Sequence, residues 1–74
     1  MDPDEFQKKI GVIVHRRRKL LGLSQEGLAE ACGLHRTHVG GIERGEHNLA
    51  LKTLLAVATG LQVKLSVLIA DAEA

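Results

Sequence analysis

Apolar residues recur at intervals of three and four through Phe6, Ile10, Ile13, Val14, Leu20 and Leu21, with the stem of Arg17 filling one turn. That is the period of a helix with one buried face. Asp2-Pro3-Asp4-Glu5 marks its start: Asp2 caps, Pro3 takes the first helical position and Glu5 is placed to complete a capping box. A first helix is expected over about 3–21, ending at Gly22.

Ser24 caps a second helix over about 25–32, with Leu28, Ala29 and Cys32 on one face and Gly33 as its left-handed stop. A third, over about 36–44, buries Val39 and Ile42 and stops at Gly45. Two brief helices are thus joined by a short turn at Gly33. A fourth is expected over about 51–61, with Leu51, Leu54, Val57, Ala58 and Leu61 inward and Asn48 as an early cap. The last, over about 65–70, carries Leu65, Leu68 and Ile69, and the tail from Asp71 is expected to fray. No stretch alternates as a strand does. The chain reads as all-α, five helices in a single domain over 1–74.

At 74 residues the core is small, so oligomerisation is expected to supply part of the stability, most simply as a homodimer. The single cysteine, Cys32, gives neither a disulfide framework nor a zinc pattern, and fits a reducing, cytoplasmic setting. No apolar run approaches the roughly 20 residues of a membrane span, and the acidic amino terminus is unlike a signal peptide. No membrane partner is expected.

Net charge is only +1, yet six of the ten basic side chains, Lys8, Lys9, Arg16, Arg17, Arg18 and Lys19, fall in one stretch. The result is a local basic surface on a near-neutral chain. Arg16 to Lys19 are successive helical residues and point in four directions, so one face cannot hold them all. Cys32, His35 and His38 raise the question of a metal, but Cys32 belongs to an apolar face and His38 to a polar one, so no metal site is expected. No nucleophile, base and orienting group stand at interpretable spacing. An enzyme, a cofactor and a small-molecule substrate are therefore not expected.

The informative segment runs from Leu23-Ser24-Gln25 through Leu28-Ala29 and the turn glycine Gly33 to Ile42-Glu43-Arg44-Gly45. It resembles the helix-turn-helix of the Cro/phage-repressor family, the XRE-like regulators with a lambda-repressor-like fold. The likeness extends to Ile10-Gly11 and Arg18 upstream and to Leu54, Ala58, Leu61, Val63 and Leu68 downstream. Independently of family, two short helices about a tight turn let the second project its amino-terminal side chains while its other face stays packed. Such a helix fits a major groove about 12 Å wide.

Arg36, Thr37 and His38 open the third helix on its polar side. The resemblance implies that these read bases, together with Gly41. It also makes Gln25 a phosphate contact, to which the helix start adds free N–H groups. His35, Arg44 and His47 are further phosphate candidates. By the same resemblance Arg18 forms a structural ion pair with Glu43.

Three departures stand out. Gly40 and Gly41 occur where family members often carry side chains, which either permits close approach to DNA or leaves fewer readers. Gly27 replaces a glutamate and loses a capping box. Leu55 and Val67 stand where relatives are more often polar, and are expected to form a dimer interface.

The implied function is a sequence-specific regulator that binds an inverted-repeat operator in double-stranded DNA. It is similar to Cro-like repressors, restriction–modification controller proteins and antitoxin-like regulators. The alternative is a protein-interaction module that retains the fold. The polar, basic outer face of the third helix favours DNA over a greasy or acidic partner.

Overall fold

The computed structural model describes residues 1–46 and 48–74, and His47 lies outside the described residues. Five helices follow in order: α1 (Pro3–Leu20), α2 (Gln25–Cys32), α3 (Arg36–Glu43), α4 (Leu51–Gly60) and α5 (Leu65–Glu73). There is no strand among the described residues.

Local chemistry sets most of the boundaries. The Asp2 carboxylate accepts from Glu5 N at 2.9 Å, and the Ser24 hydroxyl from Gly27 N at 2.9 Å, so α1 and α2 begin on satisfied caps. Gly33 closes α2 at φ 71°, while Leu34 N donates back to Ala29 O at 2.9 Å. The same back-bond closes α4, where Val63 N donates to Ala58 O at 3.0 Å. There the left-handed residue is Gln62, at φ 62°. A side chain in that conformation costs roughly 1–2 kcal/mol. Gln62→Gly is accordingly expected to stabilise the fold by about 1 kcal/mol, a rise of about 4–8 °C in thermal midpoint. A calorimetric scan showing no rise would mean that the Gln62 side chain recovers this cost elsewhere.

The core gathers one face of every helix: Ile10, Ile13 and Val14 of α1, Leu28 and Ala29 of α2, Val39 and Ile42 of α3, Leu54, Val57 and Ala58 of α4, and Leu68 and Ala72 of α5. The first helix packs on α3 and α5, the second on α3 and α4, and α4 on α5. As a result α3 is held from two sides. Among the described residues no single helix is long and apolar enough to cross a membrane.

Four sequence expectations fail here. Leu20 and Leu21, expected on the inner face of α1, are exposed, because Arg18 holds the inward position one turn beyond Val14. Leu51 is 72% exposed, so the inward stripe of α4 begins only at Leu54. Asn48 does not cap α4, whose N-cap is Ala50 with no side-chain bond. The tail does not fray: α5 runs to Glu73, Ala72 is fully buried, and Arg17 Nη2 donates to Asp71 Oδ2 at 2.8 Å.

Candidate nucleic-acid interface

The second and third helices present one shared outer surface. Ser24 fixes the start of α2, so Gln25 stands exposed at its first position. The αL turn at Gly33 then redirects the chain into α3, whose N-cap is His35. Its Nδ1 accepts from Thr37 N at 3.2 Å and lies 3.1 Å from the Thr37 hydroxyl. With Nδ1 accepting, the neutral ring carries its proton on Nε2, the nitrogen then able to donate to a phosphate. This capping role was missed in the sequence, since histidine is not among the usual cap residues.

Of the residues expected to read bases, Arg36 and Thr37 are exposed in the first turn of α3 and His38 is half-buried. Gly41 corrects the sequence reading. Expected on the outer face, it is buried and has no side chain to offer a base edge. Gly40 is buried too, yet it forms part of the wall of a shallow depression of about 230 Å³ lined also by Gln25, Arg36, Thr37 and Arg44. A Cβ at Gly40 would stand 3.2 Å from Arg44 Nη1 and 3.4 Å from Gln25 Oε1. The missing side chain lets these two polar groups converge.

Arg44 caps the carboxy terminus of α3 and is exposed, its Nε donating to Glu46 Oε2 at 2.8 Å. That hydrogen bond, with the attraction of the carboxylate, raises the guanidinium pKa. His47, the remaining phosphate candidate, lies outside the described residues.

Behind this surface sits an ion pair. Arg18 Nε donates to Glu43 Oε2 at 2.6 Å and Nη2 to Oε1 at 3.0 Å, with the two side chains 7% and 4% exposed. Arg18 Nη1 also donates to Leu23 O at 2.8 Å, which ties the α1–α2 turn to the pair. Two further groups reach the same carboxylate, His15 Nδ1 at 2.9 Å and Gln25 Nε2 at 3.2 Å. Burial pushes the Glu43 carboxyl pKa up, but the hydrogen bonds from Arg18, His15 and Gln25 and the Arg18 charge outweigh it, leaving the group below its ordinary value. His15, one turn before Arg18 on α1, was not singled out in the sequence, although its spacing of three would have allowed it.

The basic run of α1 does not form one patch. Arg18 turns inward to Glu43 and Arg17 to Asp71, which leaves Arg16 and Lys19 exposed. Cys32 is half-buried against Gly60, and desolvation raises its thiol pKa against a smaller opposing effect of the Gly60 backbone. Among the described residues no group of three or more His, Cys, Asp or Glu side chains could hold a metal ion. Leu55 is 55% exposed and Val67 half-buried, and the exposed Leu51 lies one turn before Leu55 on α4.

The helix-turn-helix family model HTH_3 matches residues 14–68. The control protein C.SmaI of Serratia marcescens is 50% identical over 48 residues, covering 65% of this chain and 57% of that protein. The chain thus spans a little over half the length of that relative. The ImmF control region 10 kDa protein of Bacillus phage phi105 is 36% identical over 61 residues, 82% of this chain and 68% of that protein. In three dimensions the chain is similar to the restriction-modification controller protein C.AhdI from Aeromonas hydrophila, with a TM-score of 0.81 and 42% identity over 84% of this chain and 94% of the other. With a turn glycine between two capped short helices, and with a family match over most of its length, the chain belongs to the HTH_3 helix-turn-helix family.

Proposed function

We propose that the chain is a sequence-specific DNA-binding transcriptional regulator of the controller-protein kind, acting as a homodimer on an inverted-repeat operator. The observation that carries this reading is the convergence of Gln25, Arg36, Thr37 and Arg44 around one depression on the outer side of α2 and α3. Two cations and two neutral groups able to donate to oxygen suit a polyanion with readable base edges. The likeness to C.SmaI, a control protein, and C.AhdI, a controller protein, supports the same reading.

In this reading Arg36 donates two bonds to guanine O6 and N7, worth about 1–3 kcal/mol of discrimination. Thr37 and His38 read alongside it, while Gln25, His35 and Arg44 hold phosphates. Arg36→Ala is expected to flatten preference at one symmetric position of the operator, and Gln25→Ala to weaken all sequences about equally. Arg44→Ala is expected to lower the salt slope of binding by about one unit. Selection of bound duplexes from random sequence, followed by isotherms on the selected site and its single-base variants, tests all three. Equal loss by Arg36→Ala on every duplex would move that residue to the backbone. A selection that returns no consensus would sink the proposed function.

The dimer in this reading forms through α4 and α5, where exposed Leu51 and Leu55 and half-buried Val67 offer apolar surface to a symmetry mate. A two-fold dimer sets its third helices in successive major grooves about 34–36 Å apart, so half-sites are expected about 10 base pairs centre to centre. Each aliphatic side chain fully buried there would contribute about 1.5–3 kcal/mol. Val67→Glu is therefore expected to yield monomer at concentrations where the parent is dimeric. Sedimentation that finds the parent monomeric, or the variant still dimeric, would refute this interface.

A further inference from the structure

The ion pair behind the outer surface is joined to that surface at one atom. Glu43 divides its two oxygens: Oε2 takes Arg18 Nε at 2.6 Å, and Oε1 meets Arg18 Nη2 at 3.0 Å, His15 Nδ1 at 2.9 Å and Gln25 Nε2 at 3.2 Å. The Glu43 carboxylate is only 4% exposed, whereas Gln25 lies at the surface. A buried, fixed anion therefore holds one end of an exposed amide.

We propose that Glu43 is a positioning residue for DNA anchoring, fixing the Gln25 amide so that its nitrogen is kept as the donor to a backbone phosphate. The proposal rests on the reading of Gln25 as a phosphate contact given above. A glutamine amide nitrogen has two N–H groups, and a carboxylate can only accept. Glu43 thus engages one N–H and disfavours the flipped amide, in which Gln25 Oε1 would face a carboxylate oxygen. The second N–H stays unspent for an oxyanion.

Gly40 completes the arrangement. The amide lies against it at a distance where a Cβ would stand 3.4 Å from Oε1. An unanchored surface glutamine would lose rotamer freedom on meeting a phosphate, and one already held loses less. Arg18 acts one step further back by fixing Glu43, so the pair that joins α1 to α3 also presets a contact on α2.

A methylphosphonate scan of the operator duplex recovered by selection tests this. Each replacement removes one phosphate charge, and affinity is read as the ratio of unmodified to modified duplex, which cancels any change in the folded fraction. At the phosphate that Gln25 meets, wild type is expected to lose about tenfold or more, as for a hydrogen bond to a charged group. Gln25→Ala should lose almost nothing there, and Glu43→Gln less than about threefold. A full wild-type ratio in Glu43→Gln would overturn the positioning role while leaving Gln25 as the anchor. An undiminished ratio in Gln25→Ala at every phosphate would overturn both.

Should Glu43→Gln fail to fold, side-chain amide relaxation of the wild-type protein decides the matter. The Gln25 amide is expected to be restrained on the picosecond–nanosecond scale relative to exposed Gln62. Equal mobility of the two amides would overturn the proposal.

Discussion

Glu43→Ala is expected to lower the thermal midpoint by about 12 °C or more. The Arg18 guanidinium, 7% exposed, would keep its bond to Leu23 O but lose both bonds to Glu43. Breaking a buried pair from one side costs roughly 3–5 kcal/mol, because the remaining charge stays buried without its counter-charge. For 74 residues the whole stability is about 4–11 kcal/mol, so the loss removes a large share of it. Each 1 kcal/mol moves the midpoint of so small a domain by about 4–8 °C. A melt of the variant within about 3 °C of the parent would show that Arg18 finds water or another acceptor at little cost.

The same carboxylate makes the fold acid-sensitive. Burial alone would raise the Glu43 pKa, but Arg18, His15 and Gln25 hold it below the ordinary value. A folded pKa that lies lower than the unfolded one means that the unfolded chain binds the proton more readily. This contribution is complete above the ordinary glutamate value of about 4.3, and drains away as pH falls from there through the lower folded value. Denaturant midpoints followed downward from neutral pH are expected to drop more steeply in the parent than in Glu43→Gln. Parallel curves would mean that Glu43 does not set the acid sensitivity.

What could be read in the sequence was whatever a short stretch of chain decides for itself. The start of α2 at Ser24 and its end at Gly33 are settled by bonds that reach three to five residues. The start of α1 at Asp2 is local in the same way. Errors arose where a distant partner decides. Leu20 and Leu51 fit a three-four spacing, but among the described residues nothing covers them. Local sequence predicts a frayed tail because its anchors, Arg17 and the core that buries Ala72, belong to other parts of the chain.

The surface residues divide along the same line. Gln25, Arg36, Thr37 and Arg44 were legible as polar positions around a turn, and they line one depression. Helical phase puts Gly41 outward, whereas its burial depends on what covers it. The tie between Gln25 and Glu43 spans 18 residues and has no signature in spacing.

Gly11 belongs to this second class, and its substitution should show how tightly α1 meets α3. By propensity alone Gly11→Ala would help an interior helical position by roughly 0.8–1 kcal/mol. A Cβ there would instead stand 2.5 Å from Ile42 O and 2.7 Å from Glu43 O. These are backbone atoms at the end of α3, which cannot rotate aside as a side-chain tip can. The helices must separate, loosening Ile10 and Val14 from the core and drawing Arg18 away from Glu43. Overpacking of this kind costs about 1–3 kcal/mol and more where backbone must move, so a net loss of about 2 kcal/mol is expected after the propensity gain. That corresponds to a fall of about 8–16 °C. Gly40→Ala is the matched control, since its Cβ would meet only the ends of Arg44 and Gln25, at 3.2 and 3.4 Å. There the propensity gain should prevail and raise the midpoint by a few degrees, about 4 °C. Opposite signs for one chemical change at two helical glycines identify close backbone approach as the cause. If both variants rose together, α1 and α3 would have room that this packing denies.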